Sequence, residues 1–109
     1  MNTSKCDYLL GTFKDCGSLL YADLSNWTLS KVSSVTSMFD GCERVSTIIL
    51  PKGLRPTFAD EMFYNCKALT QVNIKDIDFS QCLDMSDAFA YCWGLTVIPS
   101  LDTRNCDNL

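Results

Sequence analysis

A four-residue phrase that begins with Phe and ends with Cys recurs four times, and it constrains the fold more than any other feature. The steps between successive Phe positions are 26, 24 and 26 (39−13, 63−39, 89−63), and the Cys positions keep the same steps. The four copies are Phe13–Cys16, Phe39–Cys42, Phe63–Cys66 and Phe89–Cys92. Such a regular period is typical of repeat proteins, in which each repeat buries its apolar side against its neighbours.

Apolar residues follow each Cys at a spacing that is typical of leucine-rich repeats. They lie at about +3, +6 and +8 from the Cys, and the last two alternate with more polar residues, as in a strand with one buried face. These residues are Leu19, Ala22 and Leu24; Val45, Ile48 and Leu50; Leu69, Val72 and Ile74; and Leu95, Ile98 and Leu101. The pattern predicts one short parallel strand in each repeat.

A second apolar pattern precedes the Phe and predicts a helix of about two turns. Its spacing of three and four positions places the apolar side chains on one side of a helix. The clearest stripes are Val32, Val35, Met38 and Phe39, and Cys82, Met85, Ala88 and Phe89. Pro56 suits a first helical turn, and Gly41 and Asn65 follow where helices usually end.

These patterns together predict an α/β fold of the leucine-rich repeat solenoid class. Residues 1–109 form a single domain of about four repeats, each spanning roughly 24–26 positions. Short parallel strands line the concave side and short helices line the convex side. The Phe and Cys columns run between them as the core.

The seven Cys residues raise the question of disulfides, metal binding and catalysis. An odd number leaves at least one thiol unpaired within the chain, although a disulfide framework remains open in an oxidising compartment. The shared repeat phase of Cys16, Cys42, Cys66 and Cys92 favours buried core positions instead. Since the chain has no His and no C-x-x-C pair, we expect no metal site, no cofactor and no enzyme activity.

Charge and hydropathy exclude two further classes of partner. The net charge is −4 and the Lys and Arg residues are scattered singly, so the basic stripe of a nucleic-acid-binding protein is missing. No apolar run approaches the roughly 18 residues of a membrane span. The start of the chain lacks the apolar core of a signal peptide, which makes a cytoplasmic location the alternative to a surface one.

The motif M-F-x-x-C-x-x-L-T, with a following D-F-S, resembles the BspA-like leucine-rich repeats of bacterial surface proteins. The matching residues are Met38–Cys42, Met62–Thr70 and Asp78–Ser80, with Trp27 and Phe79 in the aromatic position after the strand. The resemblance implies a non-enzymatic adhesion or protein-binding module at a cell or virion surface, usually part of a longer array. An intracellular interaction or inhibitor module, and a structural segment of an array, remain as alternatives.

Candidate partner-binding residues are those between the buried positions of the predicted strands, on the concave face. They are Tyr21, Asp23, Thr47, Ile49, Gln71, Asn73 and Val97. A protein or a glycan is the expected partner of this face. Trp93 is either an exposed contact residue or part of a packed corner before the strand. Because no polar cap is visible at either end, Leu9, Leu10 and Leu109 would leave the edges of the core open. We therefore expect the ends to associate with those of another copy of the chain or to continue into further repeats.

Overall fold

Three short strands in consecutive repeats form one parallel sheet in the computed structural model, which describes residues 11–29 and 31–95. The strands are β1 (Tyr21–Asp23), β2 (Thr47–Ile49) and β3 (Gln71–Val72), in the order β1-β2-β3. The register pairs Tyr21 with Thr47 and Thr47 with Gln71, which are equivalent positions of successive repeats. The strands therefore lie where the alternating apolar pattern places them, except that Ile74, predicted as the last strand position of the third repeat, begins a 3₁₀ helix. The strand predicted around Ile98 lies outside the described residues.

The segments before each Phe are turns, so the prediction of convex-side helices is wrong for the described residues. Within these ranges the one helical segment is a 3₁₀ helix, Ile74–Asp76, directly after β3. Each repeat instead contains two left-handed residues, two positions before and two positions after the Phe. These residues are Gly11, Asp15, Ser37, Gly41, Glu61, Asn65, Asp87 and Tyr91, with φ between 55° and 81°. A right-handed helix cannot contain such residues.

Hydrogen bonds between repeats explain why turns form here. The N–H of Phe39 donates to the carbonyl oxygen of Met62 in the next repeat at 2.8 Å, whereas the N–H of Met38 donates to Val35 within its own turn at 3.1 Å. This alternation continues along residues 35–42, so every second amide bonds to the neighbouring repeat. Buried backbone groups need partners, and the adjacent repeat supplies them. In an α-helix all these bonds would be local, and this side would lose its backbone bonds between repeats.

The core between the sheet and the turns is built around a column of stacked Phe rings. Ring centroids are 5.2 Å apart for Phe13 and Phe39, 5.8 Å for Phe39 and Phe63, and 5.4 Å for Phe63 and Phe89. Residues of the predicted helical stripes, such as Val35 and Met38, are fully buried beside this column. The apolar spacing thus identifies the inward-facing side chains correctly, although the backbone that carries them is not helical.

Candidate functional site

The strand face consists of the residues that point away from the core on β1, β2 and β3. Tyr21, Thr47 and Gln71 form one row across the sheet, and Asp23 and Ile49 form the next. Tyr21, Asp23 and Gln71 are exposed, and Thr47 and Ile49 are half-buried. The predicted residues on these strands therefore all reach the surface. Val97 lies outside the described residues.

A cavity of about 400 Å³ brings four of the predicted residues together. Thr47, Ile49, Gln71 and Asn73 contribute to its lining, along with apolar residues from the core side. Tyr21 and Asp23 do not line it, because they lie on β1, the neighbouring strand. The recess therefore touches the strand face at β2 and β3 and also reaches core-side residues such as Ile48 and Phe89, while Tyr21 and Asp23 are exposed on the neighbouring strand.

Asp23 supplies negative charge to this face. Its carboxylate accepts a hydrogen bond from the backbone N–H of Ser25 at 2.9 Å. Hydrogen bonds from the side chain and the backbone of Ser25 lower the pKa of Asp23 below its ordinary value. Asp23 is therefore ionised at neutral pH and favours a partner with a positive or hydrogen-bond-donating group.

Asn73 has a structural task that the sequence patterns do not reveal. Its side-chain oxygen accepts from the N–H of Leu50 at 2.7 Å, and its Nδ2 donates to the carbonyl oxygen of Leu50 at 2.8 Å. Nδ2 also donates to Asp76 at 2.9 Å. The amide thus replaces a strand partner for Leu50 where the β2–β3 pairing stops. The only sequence signal is an Asn at the end of a strand pattern, a position where its side chain often bonds to backbone groups.

Three of the four residues of the Cys column, Cys42, Cys66 and Cys92, are buried and their thiols bond between repeats, whereas Cys16 is half-buried. Cys42, Cys66 and Cys92 have Sγ atoms that donate to the carbonyl oxygens of Phe13, Phe39 and Phe63, at 3.0, 3.2 and 3.0 Å. Cys suits this position better than Ala does, because both are small and apolar but only the Cys thiol can donate a weak hydrogen bond to the carbonyl oxygen. None of the described Cys residues is in a disulfide. Cys6 and Cys106 lie outside the described residues.

Burial also makes these thiols poor nucleophiles. Loss of hydration raises the pKa of Cys42 from its ordinary 9.0 to about 11, and it raises the pKa of Cys66 and Cys92 in the same direction. The thiolate is the reactive form of cysteine, so these side chains are protonated and unreactive at neutral pH. Their environment is that of core residues.

The raised pKa of Cys42 predicts a loss of stability in alkaline solution. The unfolded thiol ionises near pH 9.0 while the folded thiol keeps its proton up to about pH 11. The folded state binds more protons than the unfolded state in this window. The contribution of the Cys42 thiol to the free energy of unfolding is therefore complete below pH 9 and falls as the pH rises from 9 to 11. Urea unfolding of reduced protein at several pH values across this window measures the fall. Cys42→Ala should show a shallower fall, and equal slopes would contradict the prediction.

Trp93 lies in the turn that precedes the fourth repeat's predicted strand, and it is exposed. Its side chain is 69% accessible, the largest value among the exposed large apolar residues of the described ranges. It therefore occupies the corner without being packed into it. Tyr64 and Tyr91 lie beside it around a shallow recess. No sequence pattern indicates these two tyrosines as site residues.

Neither a cluster of metal ligands nor a membrane-spanning helix is found in the part of the chain that the structure describes. Across residues 11–29 and 31–95, no three Cys, Asp or Glu side chains converge as metal ligands. Among the same residues, no helix has the length and apolarity needed to cross a membrane.

The stacked turns, the parallel sheet and the aligned strand face define a tandem-repeat protein. Comparison with protein families places it more closely: the chain belongs to the family described as "Mycoplasma protein of unknown function, DUF285", whose model matches residues 1–51 and 55–108. No curated protein and no solved structure matches the chain.

Proposed function

We propose that this chain is a leucine-rich repeat solenoid of the BspA-like type and acts as a non-enzymatic binding module. Two observations support the fold. Equivalent positions pair across the strands of three repeats, and the turns on the other side bond repeat to repeat through every second amide. Both are what stacked repeats require, because each repeat contacts only its neighbours.

The observation that carries the binding function is the row of Tyr21, Thr47 and Gln71 across the parallel sheet. An exposed Tyr beside a recess lined by both polar and apolar residues presents apolar area and hydrogen-bonding groups together, and Tyr is enriched at binding hot spots. We propose that a protein or a glycan binds along this row. Asn73 lines the neighbouring recess, and its side chain is held in place because its amide is bonded to Leu50.

Photo-crosslinking tests the strand face when the partner is unknown. A photoreactive amino acid replaces Gln71 in one variant and Leu83 in another, and captured proteins are identified by mass spectrometry. Leu83 is the matched control because it is also exposed but lies in the turn half of its repeat. For a glycan partner, the wild type and a Thr47→Arg variant are applied to a glycan array.

A partner that crosslinks from position 71 and not from position 83 supports the proposal. Its binding should weaken at least about tenfold with Tyr21→Ala plus Thr47→Arg, because a truncated hot spot typically costs about 2 kcal/mol. Equal capture from both positions, or unchanged binding by the double variant, would reject the strand face as the site.

A further inference from the structure

Three aromatic side chains from adjacent repeats meet on the turn side, and we call Tyr64, Tyr91 and Trp93 the aromatic corner. The rings of Tyr64 and Tyr91 are edge to face with centroids 5.5 Å apart. Tyr91 is 54% exposed and Trp93 is 69% exposed. With Asn65 and Lys67 these residues line an open recess of about 290 Å³. Exposed rings grouped in this way are typical of an interaction site, since single apolar residues are common but clusters are not.

One face of this corner already holds a cation. The Nζ atom of Lys67 lies 5.1 Å from the centroid of the Trp93 ring, within the range of a cation–π contact. The same ammonium is 3.9 Å from the carboxylate of Glu43, which also accepts a hydrogen bond from Asn65 at 3.0 Å. The contact shows that the Trp93 ring is accessible to a positive group at a suitable distance.

The surroundings of the corner are acidic. Burial raises the pKa of Tyr64, and the nearby Tyr91, Asp87 and Glu61 act in the same direction. The whole chain has a net charge of −4. Aromatic faces and carboxylates both attract positive charge, so the corner is complementary to a cationic ligand and not to an anionic one.

We propose that the aromatic corner binds a basic segment of a partner protein through arginine side chains. A guanidinium is planar and weakly hydrated, so it stacks on Tyr91 and Trp93 more favourably than a compact ammonium does. Glu61 and Asp87 offer carboxylates to the remaining donors of the segment. Lys67 competes with the arginine side chains of the ligand, because its ammonium lies over the Trp93 ring and repels an incoming cation.

This site is independent of the strand face. Its residues lie in the turns that surround Cys66 and Cys92, whereas the strand face consists of β1, β2 and β3. Variants of Tyr21 and Thr47 therefore test one surface, and variants of Trp93 and Lys67 test the other. Either proposal can fail while the other stands.

Titration of the full chain with a fluorescein-labelled hexa-arginine peptide at low salt tests the proposal by fluorescence anisotropy. Trp93→Ala should weaken binding by about 3- to 30-fold, the range that corresponds to a cation–π contact of about 0.7–2 kcal/mol. Phe58→Ala is the matched control, since Phe58 is an aromatic residue that is 42% exposed and belongs to neither surface. It should leave the affinity unchanged. Hexa-lysine should bind more weakly than hexa-arginine.

Lys67→Met decides whether the ligand is cationic. Loss of the competing ammonium should tighten hexa-arginine binding by about 2- to 5-fold. Weaker binding by Lys67→Met, or equal binding by Trp93→Ala and the wild type, would overturn the proposal. So would Trp93-dependent binding of hexa-glutamate or of chitotriose in place of hexa-arginine. Circular dichroism of each variant confirms that the fold is intact before affinities are compared.

Discussion

Phe63→Ala is expected to destabilise the protein by about 3–5 kcal/mol, the cost of removing a fully buried aromatic ring. Phe63 is 1% exposed and stacks between Phe39 and Phe89. Its removal leaves a cavity in the centre of the ring column and separates the repeats on both sides. Urea unfolding followed by circular dichroism should show a midpoint lower by roughly 2 M. Because small domains have only about 5–15 kcal/mol of stability, the variant will be close to unfolding.

Phe58→Ala is the control with the same change in chemistry. Phe58 is 42% exposed, and its backbone bridges Ser34 and Asp84 without needing the ring. We expect a cost of about 1 kcal/mol or less, as for other partly exposed positions. Equal costs at positions 58 and 63 would show that the ring column does not hold the repeats together.

Gly94→Ala is expected to destabilise by about 1–3 kcal/mol through a clash between repeats. A Cβ atom at this position would lie 2.6 Å from the carbonyl oxygen of Leu69 and 3.3 Å from its carbonyl carbon. Both are backbone atoms of the preceding repeat, so relief requires the two repeats to move apart. Thermal or urea unfolding measures the loss.

Gly17→Ala separates this clash from a general effect of Ala at a glycine position. No atom lies within 4 Å of the Cβ that Gly17 would gain, and its φ is not in the left-handed region. Ala there restricts the unfolded chain and should be neutral or stabilising by up to about 1 kcal/mol. Equal stability of the Gly94→Ala and Gly17→Ala variants would contradict the prediction, because it would show that the nearby backbone of Leu69 does not restrict position 94 to glycine.

The repeat period makes the inward-facing residues predictable. Spacing alone selects Val32, Val35 and Met38 as inward-facing, and all three are buried. The same reasoning places Tyr21 and Gln71 on an exposed row, where the structure has them. Periodicity reports which side chains share an environment, and hydrophobic burial then decides their direction.

The backbone of the turn half is not predictable in this way. Apolar residues three and four positions apart fit a helix and also fit the successive turns that occupy residues 35–42. The choice depends on where each N–H finds its acceptor. The acceptors are carbonyls one repeat further along the chain, such as Met62 for Phe39, and a local pattern contains no information about them.

The aromatic corner is hidden for the same reason. Tyr64 and Tyr91 belong to different repeats, and the sequence leaves Trp93 open between contact and packing. Stacking of the repeats brings the centroids of the two tyrosine rings to 5.5 Å and leaves Trp93 at the surface. Asn73 is a similar case, since its bonds to Leu50 exist only once two repeats are adjacent.

By itself, the sequence determined the repeat length, the Phe and Cys columns and the places of the three described strands, because these follow from periodic burial of apolar side chains. Tertiary structure alone decided that turns replace helices and that the Cys thiols bond to the preceding Phe carbonyls. It also decided that an aromatic corner forms on the turn side. These features depend on contacts between residues of neighbouring repeats, and such contacts arise only when the repeats are stacked.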